Sequence, residues 1–351
     1  MTASTTQPIP IRLIERPLHP MHGIHAPRPR TPQRLPGSIR RTSTIDSIRP
    51  GEILGDVVQI GRSRDLRTGH DGTVTVIGEA SIETRLVYTE NYRLTEIATT
   101  PPRSELDALL GAGVTSGFRA AVVALVPDEV EQATLLHLLL DDLPGAALVS
   151  GFAIGAAGAY PDHKHKRTGP VLQIEGLCAG FQAGGTIMQQ AGLGKHPPVV
   201  TGPDAPPLAP ADDPHAWHEL RTLGAHDCRR ARMLDLRPGN GPEAPVEIEV
   251  YFRDSHMNPD GLETVIHEYS VSAALDPMSA TVISSSATAH SLPWVECIQA
   301  EASGDRLAGR PLRGLRPDVR ESFVGVSTCT HLNDTLRSIE DVRVLLPLLR
   351  S

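Results

Sequence analysis

Alternation of apolar and polar residues is clearest from Glu263 to Leu275. There Val265, His267, Tyr269, Val271, Ala273 and Leu275 fall on one side of a period-two repeat. Side chains along a strand point to opposite faces in turn, so this spacing predicts a β-strand with one buried face. Asp260-Gly261, just before it, is a turn signal. The arrangement occurs earlier as well, where Asp71-Gly72 leads into Thr73 to Ile82. Pro-containing apolar stretches follow in both places, Ile97 to Pro102 and Ala289 to Trp294, and then leucine-spaced segments, Leu106 to Leu110 and Leu307 to Leu315. Each series ends in a helical pattern, Thr134 to Leu140 and Thr330 to Leu336. We read these as an internal duplication. The predicted fold is α+β: two similar halves, each an antiparallel sheet with helices packed on one face.

Four regions follow from this reading. Residues 1–35 are rich in Pro and Arg and read as a disordered tail, because such a segment buries too little surface to fold alone. Residues 36–154 form the first half and residues 246–351 the second. Between them, residues 155–245 form a Gly- and Pro-rich insert. It holds a charged patch, Asp162 to Arg167, and a Pro-rich loop from Pro197 to Pro214. Asp212-Asp213-Pro214 reads as a helix start leading to His215 and His218, since acids and Pro favour the first helical turn.

The halves differ in chemistry. In the alignment Gly78 takes the place of His267, Ala133 that of Cys329, Leu135 that of His331 and Leu138 that of Asp334. The first half is therefore expected to be scaffold and the second to carry the site. Cys329-Thr330-His331-Leu332-Asn333-Asp334 concentrates a thiol, an imidazole and a carboxylate at a helix start. The positive field there favours a thiolate. His331 and Asp334 are three apart and share a helix face, so Asp334 is the expected orienter of His331. Cys329 and His331 diverge by about 160° on a regular helix, so one site holds both only if Cys329 lies in an irregular first turn. Asp254 and His256, two apart, share a strand face and could jointly bind a metal. His267 on its strand, with Cys297 and Cys178, completes the candidates. Each also has a plain structural role open to it: buried histidines are usually hydrogen-bonded, and a free thiol is often a small core residue.

Composition narrows the classes. A net charge of -8 and 3% aromatic residues oppose nucleic-acid binding, which needs basic surface and stacking platforms. No apolar run approaches the roughly 20 residues of a bilayer span. Four scattered cysteines and no export signal predict a reduced, cytoplasmic protein. No Cys pair has zinc-knuckle spacing, so a metal site must be assembled by the fold.

Arg320-Glu321-Ser322-Phe323-Val324-Gly325 with Cys329-Thr330-His331-Leu332 resembles an uncharacterised bacterial family, the domain of unknown function DUF2889. Arg40-Arg41-Thr42 and Asp254-Ser255-His256 fit it too, and the resemblance runs from about residue 37 to 345. It implies a bacterial origin and brings no established activity with it. A strand-rich start, then Cys297, then a helix begun by Cys329 is also distantly similar to iron–sulfur scaffold proteins of the NifU type, although no Cys stands in for their first ligand.

These observations predict a small-molecule enzyme with a Cys/His/Asp site. Cys329, His331, Asp334 and His267 are its expected catalytic residues. His256, His267, Cys329, His331 and Asp254 are its expected ligands for a divalent zinc or iron ion, with metal-assisted lyase or hydrolase chemistry. The alternatives are a non-enzymatic metal or iron–sulfur carrier, a Cys-nucleophile enzyme of acyl transfer or hydrolysis, and a partner-binding protein whose Cys and His are structural. The expected partner is a small-molecule substrate, with neither nucleic acid nor membrane; a homo-oligomer stays open.

Overall fold

Both Asp-Gly turns close long antiparallel hairpins. The structure, a computed structural model, describes residues 22–159, 174–193, 199–239, 241 and 243–349. The first 21 residues of the expected tail and the Asp162 to Arg167 patch lie outside them. Four strands precede the helices of the first half: β1 (Ser38–Ile48), β2 (Asp56–Thr68), β3 (Val74–Val87) and β4 (Arg93–Thr100). Four follow in the second: β5 (Cys228–Arg237), β6 (Val246–Met257), β7 (Glu263–Asp276) and β8 (Thr281–Ser291). The helices are α1 (Phe118–Leu125), α2 (Pro127–Glu131), α3 (Leu135–Ser150), α4 (Phe152–Ala156), α5 (Thr186–Gly192), α6 (Leu315–Ser322), α7 (Thr330–Arg337) and α8 (Val342–Leu349).

The fold is α+β, with antiparallel strands throughout. The half-sheets are not separate, however. They join edge to edge in one eight-stranded sheet of order β4-β3-β2-β1-β5-β6-β7-β8. The β1–β5 junction is reciprocal. Arg40 of β1 donates from Nε to Asp235 of β5 at 2.6 Å, and Arg229 of β5 donates from Nε to Asp46 of β1 at 2.6 Å. Helices α3, α7 and α8 cover one face over two cores of Leu, Ile and Val side chains. On the opposite face the crossing segment before β5 lays Leu208, Ala216 and Trp217 on Ala231, Met233 and Tyr251. His218 locks that segment to β1, one ring nitrogen against the Thr42 hydroxyl and the other against Thr44. Covered on both sides, β1 and β5 are buried along nearly their whole length.

The duplication extends to irregularities. Asp65 pairs with Gly78 and Leu66 with Val76, which leaves Ile77 unpaired. Asp254 pairs with His267 and Ser255 with Val265, which leaves Ile266 unpaired. A further register shift falls after Arg85 in β3 and after Ala274 in β7. Bulges add local twist and re-aim neighbouring side chains. Here one interrupts the alternation expected between Val265 and His267.

Three expectations change. Residues 22–35 are packed rather than disordered: Ile24 is fully buried, and Arg28, Arg30 and Arg34 reach Glu249, Asp212 and Asp213. Their charges are unopposed only in sequence. Strand β5 lies inside the stretch read as insert. Residues 212–218 form turns rather than a helix, because the Asp213 carboxylate accepts the backbone N–H of His215 and is held by Arg34. Leu135–Ala156 is apolar enough to cross a bilayer, but 83% of its apolar window is buried inside the protein, as befits a central helix.

Candidate functional site

Antiparallel pairing of β6 with β7 sets Asp254 directly beside His267. The first turn of α7 then brings His331 over both. His267 Nδ1 lies 3.4 Å and His331 Nε2 3.8 Å from Asp254 Oδ2. The imidazoles stack, with centroids 3.7 Å apart and planes at 20°. One ligating atom from each of the three residues lies within 4.8 Å of the other two, which makes them the metal-capable group among the described residues. The carboxylate is fully buried, whereas the His331 side chain is 23% exposed, so the group faces an opening.

Arg230 of β5 fixes Asp254. Its Nε and Nη2 donate to the two carboxylate oxygens at 2.9 and 3.1 Å, and its Nη1 donates to Asp334 at 2.8 Å. Helix α3 approaches so closely here that a Cβ on Gly145 would lie 1.9 Å from Arg230 Nη1. Breaking a buried pair of this kind typically costs about 3–5 kcal/mol, because the remaining charge is stranded. Sequence reasoning missed Arg230. The available signal was Arg229-Arg230, which echoes Arg40-Arg41 of the first half.

Burial and charge set the protonation states. Burial disfavours ionised Asp254, but the Arg230 guanidinium, with His267 and His331, holds it well below the usual carboxylate range. Burial, and then the His267 ring, lowers His331 to about 3. Burial raises the Cys329 thiol to about 11. The thiolate expected from the helix terminus is thus overridden by desolvation. At neutral pH the group is an ionised carboxylate with His331 neutral, the protonation state that metal ligation requires of these residues. Imidazole lone pairs lie in the ring plane. Two stacked rings therefore point side by side, and sharing one ion at about 2.0–2.1 Å requires one ring to tilt. His331, 23% exposed against 11% for His267, is the ring nearer the opening.

The other expected residues fall differently. Cys329 sits at the N-cap with extended backbone, which meets the condition for sharing a site with His331: Sγ lies 3.7 Å from His331 Nδ1. It stands beside the three-donor group without belonging to it. Asp334 does not orient His331. Its oxygens are taken by Arg230 and by Arg337, one helical turn on, and Asp254 is the carboxylate facing the imidazole. His256 is not brought in either. Its ring packs on Phe152 and His226, with Nδ1 3.1 Å from Asn258 Oδ1. A shared strand face still leaves residues two apart about 6.6 Å from one another along the strand. Cys178 and Cys297 are buried core thiols near Cys329 and Tyr269, with acidities reduced by burial.

No curated protein and no solved structure matches the chain, and the likeness to iron–sulfur scaffold folds is not supported. A family model does match residues 229–345, from the second residue of β5 into α8, a span that encloses Arg230, Asp254, His267, Cys329 and His331. Over this second half the chain is similar to the family described as Protein of unknown function (DUF2889).

Proposed function

We propose that this protein is a small-molecule enzyme of metal-assisted hydrolytic or lyase type, working from Asp254, His267 and His331. The observation that carries the reading is the convergence of three donors from three distant elements within 4.8 Å. Duplication adds support: the first half folds on the same plan with Gly78 where the second has His267 and with apolar Leu135 packed beside it, so the fold itself does not need the imidazoles. A zinc or iron(II) ion held there supplies Lewis acidity and an activated water. The test is metal analysis of purified protein after loading with zinc or iron(II). About one equivalent per chain is expected in the wild type. His331→Ala and His267→Ala should each lose it with unchanged circular dichroism. Folded wild type that takes up neither metal overturns the reading, and a stoichiometric colourless zinc protein counts against an iron–sulfur carrier.

One contact favours a second reading, the 3.7 Å approach of Cys329 Sγ to His331 Nδ1 with Asp254 behind Nε2. In that reading Cys329 is a nucleophile, His331 its base and Asp254 the orienter. It requires alkylation of Cys329 by iodoacetamide at neutral pH to be at least tenfold faster than in His331→Ala. Equal rates remove it.

A further inference from the structure

We propose that the first half retains the remnant of a second, equivalent metal site, in which the carboxylate and its guanidinium survive and the two imidazoles are missing. The inference rests on the metal reading above. Its evidence starts from a matching guanidinium–carboxylate pair. Arg41 donates from Nε and Nη2 to the two oxygens of Asp65, both at 2.8 Å, as Arg230 does to Asp254. The third contact differs: Arg41 Nη1 donates to the Ala133 carbonyl at 2.7 Å and to Asp341 of the second half at 3.0 Å, whereas Arg230 Nη1 donates to Asp334 at 2.8 Å.

The partners of the carboxylate also correspond. Gly78 pairs with Asp65 across the strands as His267 pairs with Asp254, and each lies next to the unpaired bulge residue. Leu135 is the first residue of α3 and His331 the second of α7, so both lie in the first turn of the helix that covers the carboxylate. The two positions also touch in each half: a Cβ placed on Gly78 would meet Leu135 Cδ1 at 3.6 Å, and in the second half the His267 and His331 rings stack. The opening has its counterpart too, since Gly78 is half-buried at the rim while Asp65 is buried behind it. Gly78 is not among the glycines with positive φ, and no other heavy atom lies within 4 Å of its Cβ position, so a side chain can enter. The first half therefore lacks two ligands and keeps the frame that would hold them.

Restoration tests this. Gly78→His/Leu135→His should raise zinc from one equivalent per chain to two. Placed in the His331→Ala background, the same pair should raise it from none to one. A folded double variant that still binds one equivalent overturns the inference and leaves the metal reading standing. Wild type that binds none sinks both. Should the double variant fail to fold, the reverse exchange His267→Gly/His331→Leu decides. It should stay folded and lose its zinc, because the first half already packs Gly and Leu against the same Arg–Asp pair. Unfolding of that exchange would show that the halves are not equivalent at this point.

Discussion

His137 and His256 are held down to about 4, and His218 and His331 to about 3, in each case first by burial. A histidine in the unfolded chain titrates near 6.5. Between that value and the folded one the unfolded state binds more protons, so acidification favours unfolding. Each of the four groups contributes up to about 1.4 kcal/mol per pH unit over that window. Asp254 and Asp334, both depressed in the folded state, add their loss only below the ordinary carboxylate range. Unfolding free energy measured in urea should therefore fall steadily from pH 6.5 to 4.5. A flat profile there would contradict neutral, buried histidines. At this scale the sequence was legible for Asp254, His267, Cys329 and His331, which chemistry alone singled out. It was illegible for Arg230 and for the true partner of Asp334. A charged residue in a one-chain pattern reads as solvated, and the acid that makes its burial tolerable lies far away in sequence.

Strands marked by alternation and an Asp-Gly turn were readable, and β7 lies within one residue of its expected end. Strand β5 was not. Its Arg229, Arg230, Arg232 and Asp235 hide the apolar signal, since both of its faces are buried through ion pairs. The irregular segment from Val199 to Leu208 was expected as a loop, yet it has a defined task. Beyond the reach of β8, it hydrogen-bonds to the start of β7: Val265 N–H donates to Pro203 and Ala205 N–H to Glu263. It thereby supports the strand two residues from His267. The approach depends on Gly202, where a Cβ would lie 1.6 Å from the Val265 carbonyl oxygen. Gly202→Ala must push this segment off β7. We expect zinc affinity to weaken at least tenfold while far-UV circular dichroism stays near wild type. Unchanged affinity would show that the segment does not position His267.

At the scale of the whole molecule, the duplication was visible in sequence, but its geometry was not, because no local pattern records which strands meet across the halves. The reciprocal contacts at the β1–β5 junction, Arg40 with Asp235 and Arg229 with Asp46, have a consequence for the family match, which begins at β5 and leaves β1 outside. Cut from its partner, the second half would expose a ten-residue sheet edge, a ready template for pairing. It would also carry both members of the junction pair on that edge, Arg229 and Asp235. Two copies laid edge to edge would set Arg229 of each against Asp235 of the other. Residues 228–349 expressed alone should thus sediment as a dimer, Arg229→Glu should break it, and Arg229→Glu/Asp235→Arg should restore it; a monodisperse monomer would refute the idea. In these terms the full chain is a dimer fused into one polypeptide. Because its two protomers do not share a sequence, the second carries His267 where the first carries Gly78, each paired with a buried Asp.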